Sequence, residues 1–136
     1  MTTPKDIEQS AAIQAVIRER WRQRQVEGWD DAHDDQWVKG ELEDAAACYA
    51  QEVSSAAWAT DGRGDCPHEG YGPEQWPWAA KWWKPGPTHR RTLIKACALL
   101  IAAIERIDRA ELQSETRLNT NQKHHGGKHD RTNRHR

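Results

Sequence analysis

The chain of 136 residues contains no phenylalanine and a single methionine, and no stretch of it approaches a long uninterrupted apolar run. A transmembrane helix needs about 20 mostly apolar residues, and a secretory signal peptide needs an apolar core near the N-terminus. Neither pattern occurs, so we predict a cytoplasmic protein that does not enter a membrane. Apolar residues make up 36% of the sequence, which predicts a small core and favours a homodimer as a way to bury more surface.

Cysteine pairs at metal-binding or redox spacing are also absent. The three cysteines, Cys48, Cys66 and Cys97, include no CxxC pair, so neither a zinc site nor a disulfide framework is predicted. Cys48 and Cys97 fall within helical patterns, and we expect both to be small core residues. With 20 basic and 21 acidic residues the net charge is −1, which argues against nucleic acid as a partner.

Apolar residues recur every three or four positions in three parts of the chain, and no segment alternates with the period of a strand. The predicted helices span about residues 4–27, 35–53 and 89–111. Thr3 before Pro4 is typical of a helix start, and Gly28 is typical of a helix end. The apolar face predicted for the last helix consists of Leu93, Cys97, Leu100, Ile101, Ile104 and Ile107. The sequence therefore predicts an all-α fold, a bundle of three main helices formed by residues 1–112.

Two segments depart from this helical pattern. Residues 54–87 form a long connection rich in glycine and proline, and a loop of that length in a compact domain indicates a function or mobility. Residues 113–136 contain one leucine as their sole large apolar residue, among several histidine, lysine and arginine residues. They cannot bury enough surface to fold alone, so we predict a disordered, basic and histidine-rich tail.

Half of the eight tryptophans lie in the segment Trp76 to Arg91, WPWAAKWWKPGPTHRR, which contains no acidic residue. Closely spaced tryptophans among cations form either part of the core or a surface on which a ligand stacks. Lys95, one turn beyond, lies in an almost wholly apolar part of its helix. Its ammonium either extends to solvent along its alkyl chain or meets a buried acid or phosphate.

Acidic residues are concentrated between Glu27 and Asp44, where eight acids accompany one lysine. Glu41 and Asp44 are three residues apart and share a helix face, and carboxylates grouped in this way can hold Mg²⁺. They can equally be ordinary surface acids. The candidate metal ligands are Asp34, Asp35, Glu41 and Asp44. His33, which precedes the acids, is the candidate general base together with Glu41, although a lone histidine is more often structural.

Several motifs of this sequence occur together in a known family. They are Glu19-Arg20, Arg22-Gln23, Glu27-Gly28-Trp29, His33-Asp34-Asp35 and Gly40-Glu41-Leu42, followed by WPW…WWKP and a helix reading RR-x-L-x-KA. Over about residues 15–110 the chain resembles a family of small accessory proteins of lambdoid phages and prophages. The resemblance implies a phage-encoded protein in the cytoplasm of a bacterial host, and it implies an origin more firmly than an activity.

Residues 19–35 and 93–109 are also similar to the two ends of MazG-like nucleotide pyrophosphohydrolases. Members of that all-α superfamily bind Mg²⁺ through carboxylates on two helices and cleave nucleoside triphosphates between the α and β phosphates. Here the first acidic set lacks its double glutamate, and Thr92 and Lys95 stand where the second set would be. A lysine there can take the place of the metal ion or bind phosphate directly. The resemblance thus implies a nucleotide-sized pocket more firmly than Mg²⁺-dependent hydrolysis.

These observations lead to one main hypothesis and two alternatives. We predict a helical protein that binds a nucleotide or nucleotide-like ligand and, if it is an enzyme, acts as a divergent pyrophosphohydrolase. The candidate ligand-binding residues are Arg22, Gln23, Trp76, Trp78, Trp82, Trp83, Lys84, Arg90, Arg91 and Lys95. Alternatively, it is a counter-defence protein that blocks a host protein through exposed tryptophans or sequesters a signal nucleotide without catalysis. In the third interpretation the acidic and basic clusters pair with each other and the tryptophans are core residues.

Overall fold

The computed structural model describes residues 1–60 and 73–129. Within them the chain forms five α-helices and two short 3-10 helices, and it contains no strand. The α-helices are α1 Pro4–Glu8, α2 Ala11–Gln25, α3 Asp31–Asp35, α4 Glu41–Thr60 and α5 His89–His129, and the 3-10 helices are Pro73–Gln75 and Ala80–Trp82. The predicted all-α fold with three main helices, α2, α4 and α5, is confirmed. Cys66 and the rest of residues 61–72 lie outside the described residues, as do residues 130–136.

The first predicted helix is divided at Gln9 and Ser10 into α1 and α2. Thr3 and Asp6 form a capping box at the start of α1, in which each side chain accepts the backbone N–H of the other residue. Ser10 caps α2, because its hydroxyl accepts the N–H of Ile13 at 3.1 Å. Each of the two helices therefore starts with its own side-chain cap, which satisfies N–H groups that a helix start leaves open.

The second predicted helix, residues 35–53, is also divided. The carboxylate of Asp30 accepts the N–H of His33 at 2.9 Å and caps the start of α3. The chain then passes through Gly40, whose φ of +86° favours glycine, before α4 begins at Glu41. The acids from Asp31 to Asp44 are therefore distributed over two helices rather than one.

The core lies between α4 and α5 and consists largely of alanine. Its buried members are Leu42, Ala45, Ala46, Tyr49, Ala96, Leu99, Ala102 and Ala103. Five half-buried tryptophans pack against this cluster: Trp29, Trp37, Trp76, Trp78 and Trp83. An aromatic side chain buries about 150–250 Å², so the tryptophans supply the apolar volume that the alanine side chains lack.

The apolar face predicted for α5 is wrong. Leu93, Leu100, Ile104 and Ile107 are 43%, 45%, 57% and 44% exposed, and Cys97 is exposed as well, whereas Cys48 is buried as expected. The buried face consists of Ile94, Ala96, Ala98, Leu99, Ala102 and Ala103. Four of these six buried residues are alanines, since the tryptophan rings fill the remaining space, whereas Leu93, Leu100, Ile104 and Ile107 stay outside.

From Glu105 onward α5 belongs to a second compact unit, Glu105–Arg136, distinct from the first unit, Met1–Ile104. The helix continues to His129, well beyond the predicted end at residue 111. Side chains from residue 111 to residue 124 are all exposed. The segment is rich in good helix formers such as Glu, Gln, Arg and Leu, which explains a helix that buries no apolar side chain there. None of the described helices combines the length and the apolarity that crossing a bilayer requires.

Candidate ligand-binding cavity

A cavity of about 650 Å³ lies within the first unit, residues 1–104. Its wall comes from the C-terminal half of α2, the segment from residue 27 to residue 37, Tyr49 of α4, the tryptophan-rich segment and the first turns of α5. The volume falls in the range of about 300–1,000 Å³ that is typical of sites for small molecules. One part of the wall is aromatic and another carries charge.

The aromatic part is a chain of rings in mutual contact. Trp29 stacks on His33 with the ring centroids 5.5 Å apart. The His33 ring contacts Trp37 at 5.9 Å, and Trp37 contacts Trp78 at 5.3 Å. Trp78 meets the edge of Trp76 at 5.3 Å. Rings from the region around α3 are thereby joined to rings of the tryptophan-rich segment, and together they form one apolar surface.

Tyr49 and Trp83 support this surface from the core side. Their rings are stacked, with centroids 5.0 Å apart, and the Tyr49 hydroxyl accepts the backbone N–H of Lys84 at 3.4 Å. Burial raises the pKa of Tyr49, so the phenol stays protonated at neutral pH. Trp83, a predicted ligand-binding residue, is half-buried against the core and is not part of the cavity wall.

The charged part is organised around Glu19, which is 2% exposed. Arg22, one turn further along α2, donates two hydrogen bonds of 2.9 Å and 2.8 Å to its carboxylate. Arg91 of α5 donates a third. Burial raises the pKa of Glu19, but the hydrogen bonds from both arginines outweigh it and hold the pKa below its ordinary value. Arg22 also pairs with Glu27 at 2.7 Å, so both carboxylates of the cavity are neutralised.

Two further cations, Lys84 and Lys95, line the cavity, and neither has a carboxylate partner among the described residues. The Lys95 ammonium donates to the backbone oxygen of Lys84 at 2.8 Å. Burial and the repulsion from Arg91 lower the pKa of Lys95. The cavity wall thus carries four cationic side chains, Arg22, Lys84, Arg91 and Lys95, against two carboxylates, Glu19 and Glu27, a surplus of two positive charges. This surplus favours an anion.

Three polar atoms of the cavity wall are buried and have no hydrogen-bond partner among the described residues. They are Oε1 of Gln23 and the indole Nε1 atoms of Trp37 and Trp78. Gln23 is 2% exposed. Leaving a buried polar group unpaired costs about 1–3 kcal/mol, and such groups are rare in folded proteins. Because water can reach almost none of their surface, these three atoms do not face the open space of the cavity.

His33 lines the cavity and is oriented by a neighbouring acid. Its Nδ1 atom lies 3.0 Å from Oδ1 of Asp34, and Arg20 donates to Oδ2 of Asp34 at 2.8 Å. Asp34 is 1% exposed. This predicted metal ligand is therefore engaged in an ion pair with Arg20, and it holds the imidazole ring in place.

The four acids of the predicted metal site are not gathered around one point. Glu41 accepts the backbone N–H of Lys39 at 2.9 Å, and it lies with Asp44 in the first turn of α4, whereas Asp34 and Asp35 lie on α3. None of the four belongs to the cavity wall, so Glu41, the second catalytic candidate, is not part of the cavity either. The described part of the chain contains no group of three or more His, Cys, Asp and Glu side chains placed to hold a metal ion.

Most predicted ligand-binding side chains do come together. Those that line the cavity are Arg22, Gln23, Trp76, Trp78, Trp82, Lys84, Arg91 and Lys95. Arg90 lies instead at a shallower groove beside α2. The sequence reasoning missed Glu19, Trp29, Trp37 and Tyr49. Trp29 and Trp37 stand four residues on either side of His33, a spacing that brings residues to one face of a helix, and this signal could have identified them.

The site therefore combines a tryptophan wall, a neutralised carboxylate pair and two lysines that have no carboxylate partner within the described part of the chain. A cavity of this kind suits a small molecule that carries both a flat ring and a negative charge. Comparison of the chain with models of protein families, with curated proteins and with solved structures finds no match.

Proposed function

We propose that the protein binds a nucleotide or nucleotide-like anion in this cavity and does not hydrolyse it. The observation that carries the proposal is the presence of Lys84 and Lys95 in the same cavity as a wall of tryptophans, with no carboxylate partner for either lysine in residues 1–60 and 73–129. A nucleotide carries both a phosphate group and an unsaturated ring. The lysines can bind the phosphate group, and the tryptophans can stack on the ring.

The lysines supply the complement of the phosphate. Lys95 is partly desolvated, and its pKa is lowered by burial and by Arg91. A phosphate oxygen at its ammonium would form a charge-assisted hydrogen bond, which is shorter and roughly twice as strong as a neutral one. The bound anion would also raise the pKa of Lys95, because a nearby negative charge favours the charged form of an amine. Lys84, which is exposed, can move to the same anion.

The tryptophans supply the complement of the ring. Trp82 is 47% exposed and, among the described aromatic residues, contacts no other ring. The ammonium groups of Lys81 and Lys84 lie 5.3 Å and 5.7 Å from its ring centre. The exposed part of its indole ring can stack on a base, and such stacking on an aromatic side chain contributes about 1–3 kcal/mol.

The state of the acids favours binding over hydrolysis. A MazG-like reaction uses free carboxylates that hold Mg²⁺, whereas Glu19 and Glu27 are held by Arg22 and Arg91. For a phage-encoded protein, as the family resemblance implies, such binding would sequester a host signal nucleotide. The alternative in which the tryptophan segment contacts a host protein has less support, because Trp76, Trp78 and Trp83 pack against the core.

One observation favours turnover as a second candidate function. With Nδ1 of His33 engaged by Asp34, Nε2 is the ring nitrogen left to accept a proton from a water molecule. Replacement of His33 by glutamine separates the two candidates. It would abolish turnover in a hydrolase while leaving nucleotide affinity largely unchanged.

The first experiment measures binding and turnover together. Purified protein is titrated calorimetrically with nucleoside mono-, di- and triphosphates, each with and without Mg²⁺, and the mixtures are analysed by chromatography. A ligand at 100 times its dissociation constant adds about 2.7 kcal/mol of stability, which also raises the melting temperature by several degrees. We expect binding that Lys95→Ala removes and that Lys39→Ala, a change of an exposed lysine outside the cavity wall, preserves.

The proposal fails in two distinguishable ways. If no nucleotide binds, or if Lys95→Ala binds as tightly as the unchanged protein, the cavity is not a nucleotide site of the kind described. If a nucleotide binds and is consumed, binding without hydrolysis is refuted and the role of His33 becomes the question.

A further inference from the structure

We propose that the shallower groove beside α2 is a phosphate site of its own, lined by Arg18, Arg22, Arg90 and Arg91. The groove has a volume of about 460 Å³ and lies within the first unit. Its wall comes from α2, from the two residues before α5 and from the first turns of α5. None of the described tryptophans and lysines lines it, so this site can exist whether or not the cavity binds a nucleotide.

Two arginines of the groove have no acidic partner. Arg18 and Arg90 are exposed, and neither side chain forms an ion pair or a hydrogen bond with another described residue. An arginine offers five N–H donors in a planar fork, which matches the oxygens of a phosphate group. Because one of these arginines belongs to α2 and the other to α5, they can bind a phosphate group from two helices.

Arg91 contributes further donors that water can reach. Among the described residues its guanidinium has one acceptor, Glu19, to which Nη2 donates. Its Nε and Nη1 atoms are not among the buried atoms that lack a partner, and the side chain is 33% exposed. An anion in the groove can therefore replace water at these two nitrogens, while Nη2 stays with Glu19.

The charge of the groove favours a phosphate group over other small ligands. Four arginines lie against one carboxylate, Glu19, which leaves a surplus of three positive charges. A phosphate monoester carries a charge of about −1.5 to −2 at neutral pH and three acceptor oxygens, whereas a carboxylate carries a single charge and two oxygens. A metal cation would be repelled. The positive end of α5, which the Thr88 hydroxyl caps by accepting the N–H of Arg91 at 3.1 Å, adds to the attraction for an anion.

A phosphate group in the groove can come from two sources. Glu19, Arg22 and Arg91 line both the groove and the cavity, so the two spaces share a wall. Arg91 and Lys95 are four residues apart on α5, about 6 Å along its axis. A nucleotide with a second phosphate group can therefore extend from Lys95 to the arginines. The other source is a separate anion that carries phosphate.

An NMR titration of the full isotope-labelled chain with inorganic pyrophosphate tests the site directly. The arginine Nε–H signals and the backbone N–H signals of the first turn of α5 report on the groove. We expect these signals to shift in a saturable way. In the double variant Arg18→Ala/Arg90→Ala the dissociation constant should rise at least about tenfold, because charge-assisted hydrogen bonds are lost. Both residues are exposed, so the double variant should keep its melting temperature.

Two control variants separate the groove from the cavity and from the net charge. Lys95→Ala changes the cavity wall, and Lys39→Ala removes one positive charge outside both spaces. The pyrophosphate shifts in the groove should persist in both. Groove signals that do not respond to pyrophosphate, or that respond equally in the double variant, would overturn the inference. If pyrophosphate binds the groove and no nucleotide binds the protein, the proposed function fails and this inference stands.

A comparison of AMP with adenosine 3′,5′-bisphosphate identifies the source of the phosphate group. If one molecule fills both spaces, the bisphosphate should bind at least about tenfold more tightly than AMP, and the double variant should remove this difference. If the source is a separate anion, the two nucleotides should bind alike, and pyrophosphate should still shift the groove signals when AMP saturates the cavity. Either result supports a phosphate site at the arginines.

Discussion

Replacing Glu19 by glutamine tests whether the charged wall holds the helices together. The carboxylate is 2% exposed and joins Arg22 of its own helix to Arg91 of α5. Glutamine keeps the shape of the side chain but removes its charge and one of its acceptors. Both arginines would then lack their buried counter-charge.

The expected loss follows from the burial of the three side chains. Removing one member of a fully buried pair costs roughly 3–5 kcal/mol, whereas exposed pairs contribute about 0–1 kcal/mol. The arginine side chains are 34% and 33% exposed, so solvent compensates part of the loss. We expect a decrease of about 2–3 kcal/mol in the free energy of unfolding, and a melting temperature lower by roughly 10 °C.

Urea denaturation of the unchanged protein, Glu19→Gln and Glu27→Gln measures this decrease. Glu27 is the matched control, because its side chain is 35% exposed and its ion pair, at 2.7 Å, is with Arg22 rather than with a residue of α5. Its replacement should cost less than about 1 kcal/mol. Equal losses in the two variants, or a loss below about 0.5 kcal/mol in Glu19→Gln, would refute the idea that Glu19 organises the site.

The pH dependence gives the same prediction an independent check. The pKa of Glu19 lies below its ordinary value of 4.5 in the folded protein. Its charge therefore contributes stability that is fully present above the unfolded pKa and is lost as the pH falls through the folded pKa. The difference in unfolding free energy between the unchanged protein and Glu19→Gln should be constant above about pH 5 and should shrink below pH 4.5. A difference that stays constant into the acid range would show that the lost charge is not its cause.

Two further predictions concern other parts of the first unit. Gly86→Ala should lower the free energy of unfolding by about 1–3 kcal/mol, because a Cβ atom there would lie 2.5 Å from Cγ and 2.7 Å from Cβ of Arg91; urea denaturation measures this, and an unchanged midpoint would contradict it. Under native conditions a thiol reagent should modify Cys97, which is exposed, much faster than Cys48, which is buried and whose pKa is raised by burial and by Asp44; mass spectrometry of the labelled peptides identifies the modified residue, and equal labelling would contradict the burial of Cys48.

The sequence predicted the charged and aromatic residues of the cavity where a local pattern revealed them. The tryptophan-rich segment stands out by composition, and Lys95 stands out as a cation in an apolar stretch. Glu19 could not be recognised in this way, because in sequence it resembles any acid on a solvated helix with arginines nearby. In the folded protein it is buried and accepts a hydrogen bond from Arg91, 72 residues further along the chain. A contact between residues so far apart cannot be recognised from the sequence around Glu19.

The orientation of α5 shows a different limit. Both faces of its first half are apolar, one with Leu93, Leu100 and Ile104 and the other with Ala98 and Ala102. Periodicity assigns the larger side chains to the core, since they gain most from burial. The space beside α4 instead admits alanine, because tryptophan rings occupy the rest. The packing of α5 against α4 and the tryptophan rings therefore decides which apolar face of α5 is buried. The sequence of either helix alone does not reveal it.

The ring chain also bears on how fast the protein folds and unfolds. It joins Trp37, which precedes α4, to Trp78, and Trp76 contacts Tyr49 of α4; Trp76 and Trp78 both lie in the long connection after that helix. Contacts between residues so distant in sequence require closure of a large loop and form late in folding. Interactions that are absent from the transition state act on the unfolding rate and barely on the folding rate. A molecule held in the cavity is therefore expected to lengthen the lifetime of the native state without making the chain fold any sooner.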